Sequence, residues 1–427
     1  MESESSASRM LSVSEDDRRI VAGMPGPFLR WYRANARDLP WRRDREPYHV
    51  WLSEIMLQQT RVEAAKGYYR RFIEALPDIR ALASADEETV LKLWEGLGYY
   101  RRALNLRKAA RLIAVDMGGV FPSTYKEILA LPGVGAYTAG AIASICFGLP
   151  KPAVDGNVLR VMARILDNDM SVDRPTFQKW ISACLEEAMV AACANGATTG
   201  LAFDAGDFNQ SLMEVGATLC LPKGMLKCSV CPARLFCRGM QSGRAELLPV
   251  RDVKKVRRVE ERTVFILQYN AIDADGGRQN VERLALARRG SDGLLAGMWE
   301  LPNVAGWLRP DEAIAYAAAL GATPIALEQS LDRSHVFSHV EWRMKGYVIR
   351  CSPPELMETT TCPSAVTEAT DATDAADATD TTDATDADID TAAEADTDET
   401  SQGLIWTSVE ERKTAYPLPS AFRVFLG

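Results

Sequence analysis

Four cysteines crowd one stretch of the chain, Cys220, Cys228, Cys231 and Cys237, spaced C-x7-C-x2-C-x5-C. Four soft thiolates suit either a [4Fe–4S] cluster or a structural zinc. The short final spacings wrap the ligands around one compact site, unlike the two separated CxxC pairs of a zinc ribbon, and so lean toward iron and sulfur. Lys223 and Lys227 in the first loop are placed to meet phosphate, although a solvated loop charge is the commoner explanation. Two carboxylates offer a different chemistry. Glu54, in WLSEIMLQQTRV, has Val50, Trp51, Leu57 and Gln58 as helical neighbours and therefore borders an apolar face. Desolvation there raises a carboxyl pKa and favours a protonated acid near neutral pH, though the same position suits an ordinary helix-surface glutamate. Asp155, in AVDGNVLRVMAR, opens a helix with Asn157 close by. It is either a plain N-cap or a carboxylate that steadies an oxocarbenium-like sugar. In LPGVG, Gly133 and Gly135 lack Cβ, which lets backbone amides approach a phosphate at the N-terminus of the helix that follows. A Pro-Gly turn alone is more often structural.

These residues need a scaffold, and the periodicity supplies one. From residue 21 to 245 apolar residues recur at three and four spacing, as in TVLKLWEGLGYY and AGAIASICFGL, which predicts an all-α domain. VKKVRRVEERT has no strong apolar face, and residues 246–261 read as a linker. Beyond it TVFILQY, RLALARR, HVFSHVEWRMKGYVIRC and GLIWTSV are rich in β-branched and aromatic residues, while DEAIAYAAALGA reads as a helix. Residues 262–353 and 403–427 therefore form a predicted α+β domain. Residues 354–402 repeat Ala-Thr-Asp units with almost no large apolar side chain; they are expected to be a disordered insertion, and residues 1–20 a disordered N-terminus.

Charge at first argues against nucleic acid, because the formal net charge is −9. The insertion carries ten Asp, five Glu and no Lys or Arg, so without it the charge becomes +6. The folded part is mildly basic. With no signal-peptide pattern and no apolar run of membrane-spanning length, a soluble, reducing compartment is expected. That compartment reads as a bacterial cytoplasm around the nucleoid, or a nucleus or mitochondrion in a eukaryote.

Six segments in one order, LPWR (39–42), SEIMLQQTRV (53–62), WEGLGYYRRA (94–103), LPGVGAYTAGAI (131–142), VDGN (154–157) and FNQSLMEVGATLC (208–220), resemble the helix-hairpin-helix endonuclease III superfamily and within it the MutY-type adenine DNA glycosylases. GLLAGMWELP (293–302) and HVFSHVEW (335–342) resemble that family's Nudix-like C-terminal domain. The resemblance implies an all-α glycosylase domain with a [4Fe–4S] cluster held by the four cysteines, joined to an α+β Nudix-like domain. It further implies a monomer acting on double-stranded DNA that contains adenine opposite 8-oxoguanine or guanine.

Carried over by motif, Glu54 is the acid that protonates adenine N7 and Asp155 the carboxylate facing the sugar, with Asn157 and Tyr137 in support. Trp41, Arg42, Leu57 and Glu214 hold the flipped adenine. Gln59 and Tyr100 act as wedges near 8-oxoguanine, and Phe337, Ser338 and His339 read the damaged base. Bifunctional relatives carry a lysine at the Tyr137 position, whose amine attacks C1′; a phenol cannot, so base removal without strand cleavage is expected. That substitution and the second domain argue against a pyrimidine-lesion lyase. The joint presence of Glu54 and Asp155 argues against a silent DNA-binding protein. The second domain lacks the clustered glutamates that a nucleotide pyrophosphohydrolase needs for Mg²⁺. The first cysteine loop, at seven residues, is one longer than the family's usual six.

Overall fold

A computed structural model describes residues 14–199, 203–253, 256–271, 281–290, 293–354 and 403–426. Two compact units divide at Arg257/Arg258, and Lys413–Ser420 belongs to the first.

The first unit is helical. Its elements are α1 (Glu15–Ala22), α2 (Pro25–Asn35), a 3-10 turn (Pro40–Arg42), α3 (Pro47–Leu57), α4 (Val62–Ala75), α5 (Ile79–Ser84), α6 (Glu87–Trp94), α7 (Arg101–Asp116), α8 (Tyr125–Leu129), α9 (Ala136–Phe147), α10 (Gly156–Leu166), α11 (Pro175–Thr199), α12 (Ala205–Thr218) and α13 (Arg238–Gln241). Local chemistry sets many of the starts. Ser14, Asp78, Asp86, Thr124, Asp155 and Asp204 each accept a backbone N–H three residues on, a cap worth about 1 kcal/mol. Pro25, Pro40 and Pro47 stand in first turns, where their missing N–H costs nothing.

α3 and α9 are apolar nearly all round, and most of their side chains are buried. They pack together at the centre of the unit. A Cβ at Gly140 of α9 would overlap the Pro152 carbonyl, so glycine lets this helix seat against the segment leading to Asp155. α10, α12, α2 and α11 enclose a second core around Phe28, Phe177, Phe208 and Leu212.

The second unit is one sheet with helices beside it. Its strands are β1 (Arg258–Ala271), β2 (Val281–Arg288), β3 (Trp299–Glu300), β4 (Asn303–Ala305), β5 (Pro324–Val336), β6 (Val340–Cys351) and β7 (Ile405–Thr407), in the order β3-β2-β1-β6-β5, with β4 on β1 and β7 on β2. β1 and β6 run parallel from Arg258↔Val340 to Gln268↔Arg350, while β5 returns antiparallel on β6. α14 (Pro310–Ala319) covers Phe265, Leu267, Tyr347 and Ile349 through Ala313 and Ala317. Two short helices follow, α15 (Val409–Thr414) and α16 (Ser420–Arg423).

Three sequence expectations change. Residues 15–20 are helical rather than disordered, because Ser14 caps α1 and Val21 and Met24 are buried in the core of the unit. Residues 1–13 lie outside the described residues, as do 355–402 of the expected insertion. Arg258 to Glu261, placed in the linker, are already strand and pair with β6. The stretch HVFSHVEW holds the end of β5, a turn and the start of β6. Lys413–Ser420, assigned to the second domain, groups with the first. Pro417 to Pro419 are buried and the Leu418 N–H donates to the Glu95 carboxylate at 2.9 Å. β7 does rejoin the sheet beyond the expected insertion, as its GLIWTSV pattern requires. Among the described residues no helix is long and apolar enough to cross a membrane.

Candidate active site

A cavity of about 700 Å³ opens in the helical unit, and Glu54, Tyr137, Asp155, Asn157, Trp41, Arg42, Leu57 and Glu214 all line it. Eight residues singled out along 174 positions of sequence, from Trp41 to Glu214, thus converge on one wall-to-wall space.

Glu54 sits mid-way along the buried helix α3, 7% exposed. Its Oε2 accepts the Tyr137 hydroxyl at 2.6 Å. Burial pushes the Glu54 carboxyl up to about 7; the Tyr137 hydrogen bond and the Arg42 charge oppose the shift, and Asp155 adds to it. A group balanced there can give a proton at neutral pH and take one back. Tyr137 itself is held well above its ordinary range by burial and by the neighbouring carboxylates, so it stays a phenol.

Asp155 is both of the things its sequence allowed. As N-cap of α10 its Oδ1 accepts the Val158 N–H at 2.8 Å, while Oδ2 accepts from Asn157 Nδ2 at 2.7 Å. Burial raises its pKa, against the hydrogen bonds from Val158 and Asn157. Both oxygens are thereby held in place by groups fixed to α10. Behind them Arg160 donates to Asn157 Oδ1 at 2.9 Å and to the Gly216 and Cys220 carbonyls at 2.9 and 3.0 Å.

The cavity is also lined by a carboxylate of another kind. Glu214 of α12 is wholly buried, yet it accepts two bonds from Arg37 and one from Arg42 at 2.9 Å. Burial works against its charge, but the hydrogen bonds and charges of the two arginines outweigh that and hold its carboxyl below the usual range. Arg37 was not singled out in the sequence; its place five residues before Arg42 in RDLPWR was the available signal. Trp41, 6% exposed, stands edge-on to Tyr69 with ring centroids 5.4 Å apart and offers its remaining surface to the cavity.

At the hairpin, Gly133 has φ +75°, a conformation that side chains disfavour, and Gly135 caps α9 with no side chain to cover its amides. Gln59 is exposed at the cavity edge with φ 58°. Tyr100, expected beside it as a wedge, is a correction. It is 6% exposed, and its hydroxyl accepts the Gly96 N–H at 3.2 Å within the fold. The outward aromatic is its neighbour Tyr99, 51% exposed with φ 50°.

The four cysteines are half-buried and all line one small apolar void with Arg164. Arg164 donates to the Cys220 Sγ at 3.2 Å. Among the described residues no group of three His, Cys, Asp or Glu gathers tightly enough to hold a metal ion. Four cysteines lining one apolar void with Arg164 bring together a soft donor set of the chemistry that an iron–sulfur group or a structural zinc takes.

In the second unit Phe337, Ser338 and His339 form the turn between β5 and β6, closed by a bond from the Phe337 N–H to the Val340 carbonyl at 2.8 Å. Phe337 packs edge-on against His335 and Trp342, which leaves Ser338 and His339 exposed at the tip.

Comparison with known proteins bears on what this arrangement belongs to. Residues 52–179 match the HhH-GPD superfamily of base excision DNA repair proteins, and residues 277–427 match the NUDIX domain. The adenine DNA glycosylase of Mus musculus is 35% identical over 378 residues, covering 77% of this chain and 70% of that protein. The chain belongs to the adenine DNA glycosylase family. The Homo sapiens member is 34% identical, covering 77% of this glycosylase and 67% of its own length. Among solved structures, a thermostable thymine-DNA glycosylase is 27% identical with a TM-score of 0.45, covering 53% of this chain and 97% of that one. The glycosylase thus joins a helical helix-hairpin-helix domain to a Nudix-like α+β domain, and its function lies in base excision DNA repair.

Proposed function

We propose that the glycosylase removes adenine mispaired with 8-oxoguanine or guanine, by acid-assisted hydrolysis of the N-glycosidic bond of a flipped-out nucleotide. One observation carries the chemistry: a glutamic acid buried against a phenol, with its pKa near 7, lines the same cavity as an aspartate fixed at a helix N-terminus. Adenine leaves poorly as an anion. Glu54 gives its proton to N7, the C1′–N9 bond breaks, and the bonding pair passes into the now neutral purine. Asp155 faces the sugar cation and lowers its energy by charge or by a transient bond to C1′. Water then supplies the hydroxyl at C1′, and its proton returns to the Glu54 carboxylate. Trp41, Leu57, Arg42 and Glu214 give the extruded base an apolar wall and a polar edge.

Tyr137 cannot form a Schiff base, which favours base removal without strand cleavage. Gln59 and Tyr99 are the exposed groups suited to enter the duplex, and Gly133 and Gly135 suit backbone phosphates. The exposed tip at Ser338 and His339 is proposed to recognise 8-oxoguanine, Ser338 by a direct hydrogen bond. Cys220, Cys228, Cys231 and Cys237 would hold a [4Fe–4S] cluster, whose part is to tie their loops together. A monomer in a bacterial cytoplasm is the proposed working form.

Single-turnover excision from a duplex with adenine opposite 8-oxoguanine tests the acid. Glu54→Gln is expected to lose activity by about 10²–10⁴-fold; an unchanged rate removes Glu54 from the reaction. Ser338→Ala with His339→Ala should reduce the preference for 8-oxoguanine over guanine, and an unchanged preference rejects that role. Stoichiometric zinc in place of iron and sulfide would overturn the cluster.

A further inference from the structure

Gln59 and Tyr99 lie in different turns, yet both have left-handed backbones and both project outward. Side-chain-bearing residues adopt that region reluctantly and hold it only where the surroundings impose it. One side chain touches both turns. Arg102, in the first turn of α7, donates through one terminal nitrogen to the Ile55 and Gln58 carbonyls, each at 2.6 Å. Its other terminal nitrogen donates to the Gly98 carbonyl at 3.0 Å and the Leu97 carbonyl at 3.4 Å, and its Nε to the Tyr99 carbonyl at 3.4 Å. The guanidinium also lies 5.3 Å from the Trp94 ring centre and 5.4 Å from that of Tyr99.

The Ile55 carbonyl belongs to the last turn of α3, where no helical N–H remains to meet it, and a positive charge complements that end of the helix. Burial brings the Arg102 pKa down to about 10, which leaves it charged at neutral pH. A planar fork of five donors spans two separate turns; the single ammonium of lysine does not.

We propose that Arg102 is a positioning residue for nucleotide extrusion: its guanidinium clamps the end of α3 to the turn before α7 and so holds Gln59 and Tyr99 as one rigid pair of wedges. This rests on the reading of those two residues as groups that enter the duplex. Wedges free to retract would not offset the loss of stacking, so the clamp acts before chemistry and not on it.

The test uses the full chain, a duplex with 2-aminopurine in place of the mispaired adenine to read extrusion by fluorescence, and single-turnover excision on the adenine duplex. Arg102→Lys keeps the charge and is compared with Gln59→Ala/Tyr99→Ala and with the triple variant, each checked for a cooperative melt. Arg102→Lys is expected to lower extrusion and excision together by about ten-fold, and the triple variant to fall no further than the double, as coupled residues do. Losses that add in the triple variant, or extrusion unchanged in Arg102→Lys, overturn the clamp. Wild-type protein inactive on the adenine duplex would instead overturn the enzymatic reading on which the clamp rests.

Discussion

Two glutamates share the walls of one cavity and are both buried, yet their surroundings favour different protonation states. Glu54, with a phenol and an apolar helix around it, is pushed up to about 7. Glu214, with Arg37 and Arg42 forked onto it, is held below its ordinary range although its side chain is wholly buried. Burial penalises a carboxylate, but it fixes the protonation state only where no cation repays the lost hydration. The pair thus divides the work of one pocket, an acid that can give a proton and an anion that can only accept hydrogen bonds. Environments that drive two titratable groups apart are how acid and base roles are assigned in a single site.

The strongest blow to that division is Glu54→Gln, whose expected loss of excision is given above; Glu214→Gln should behave differently. It leaves two guanidinium groups without their carboxylate, Arg42 being only 15% exposed, so destabilisation on the order of 3 kcal/mol is expected in denaturant unfolding. A Glu214→Gln protein as stable as wild type would show that the anion contributes nothing to the fold.

The next effect is on stability against pH. Because the folded Glu54 pKa is raised from 4.5 to about 7, the unfolded chain releases its proton first. Stability from this group is complete below about 4.5, declines as pH rises and is lost above about 7, a change of about 3 kcal/mol. Wild type minus Glu54→Gln should show that slope in the difference, and a flat difference would contradict the raised pKa. Smallest is Tyr137→Phe. The hydroxyl bond lowers the Glu54 pKa, so its removal should move the alkaline limb of excision to higher pH, with a several-fold loss of rate from poorer aim of the acid. A limb that moves to lower pH would reverse the sign of the Tyr137 contribution.

Much of this site was legible in the sequence because its residues stand in short motifs on helices whose periodicity is plain. Glu54 is an example: VWLSEIML marks a buried helix, and a carboxyl at its centre must be desolvated. What escaped was direction. Tyr99 and Tyr100 are adjacent aromatics, and only the left-handed φ at Tyr99 decides which of them points outward. Arg37 and Arg102 escaped because an arginine's partners lie far off in sequence; Arg37 meets Glu214 across 177 positions. β5 escaped for a different reason. Most of its residues are exposed or half-buried, so no alternation of apolar side chains announces it. Residues 15–20 were read from their charge, when the buried Val21 and Met24 just beyond them supply the anchor.

The central claim is that a single carboxyl, neutral at working pH, delivers the proton that releases the base. The most direct measurement is the single-turnover excision rate as a function of pH at saturating enzyme, from about 5 to 9. The rate should hold on the acid side and then fall tenfold per pH unit above about 7. A rate that stays level through that range, or that climbs on the alkaline side, would contradict the account.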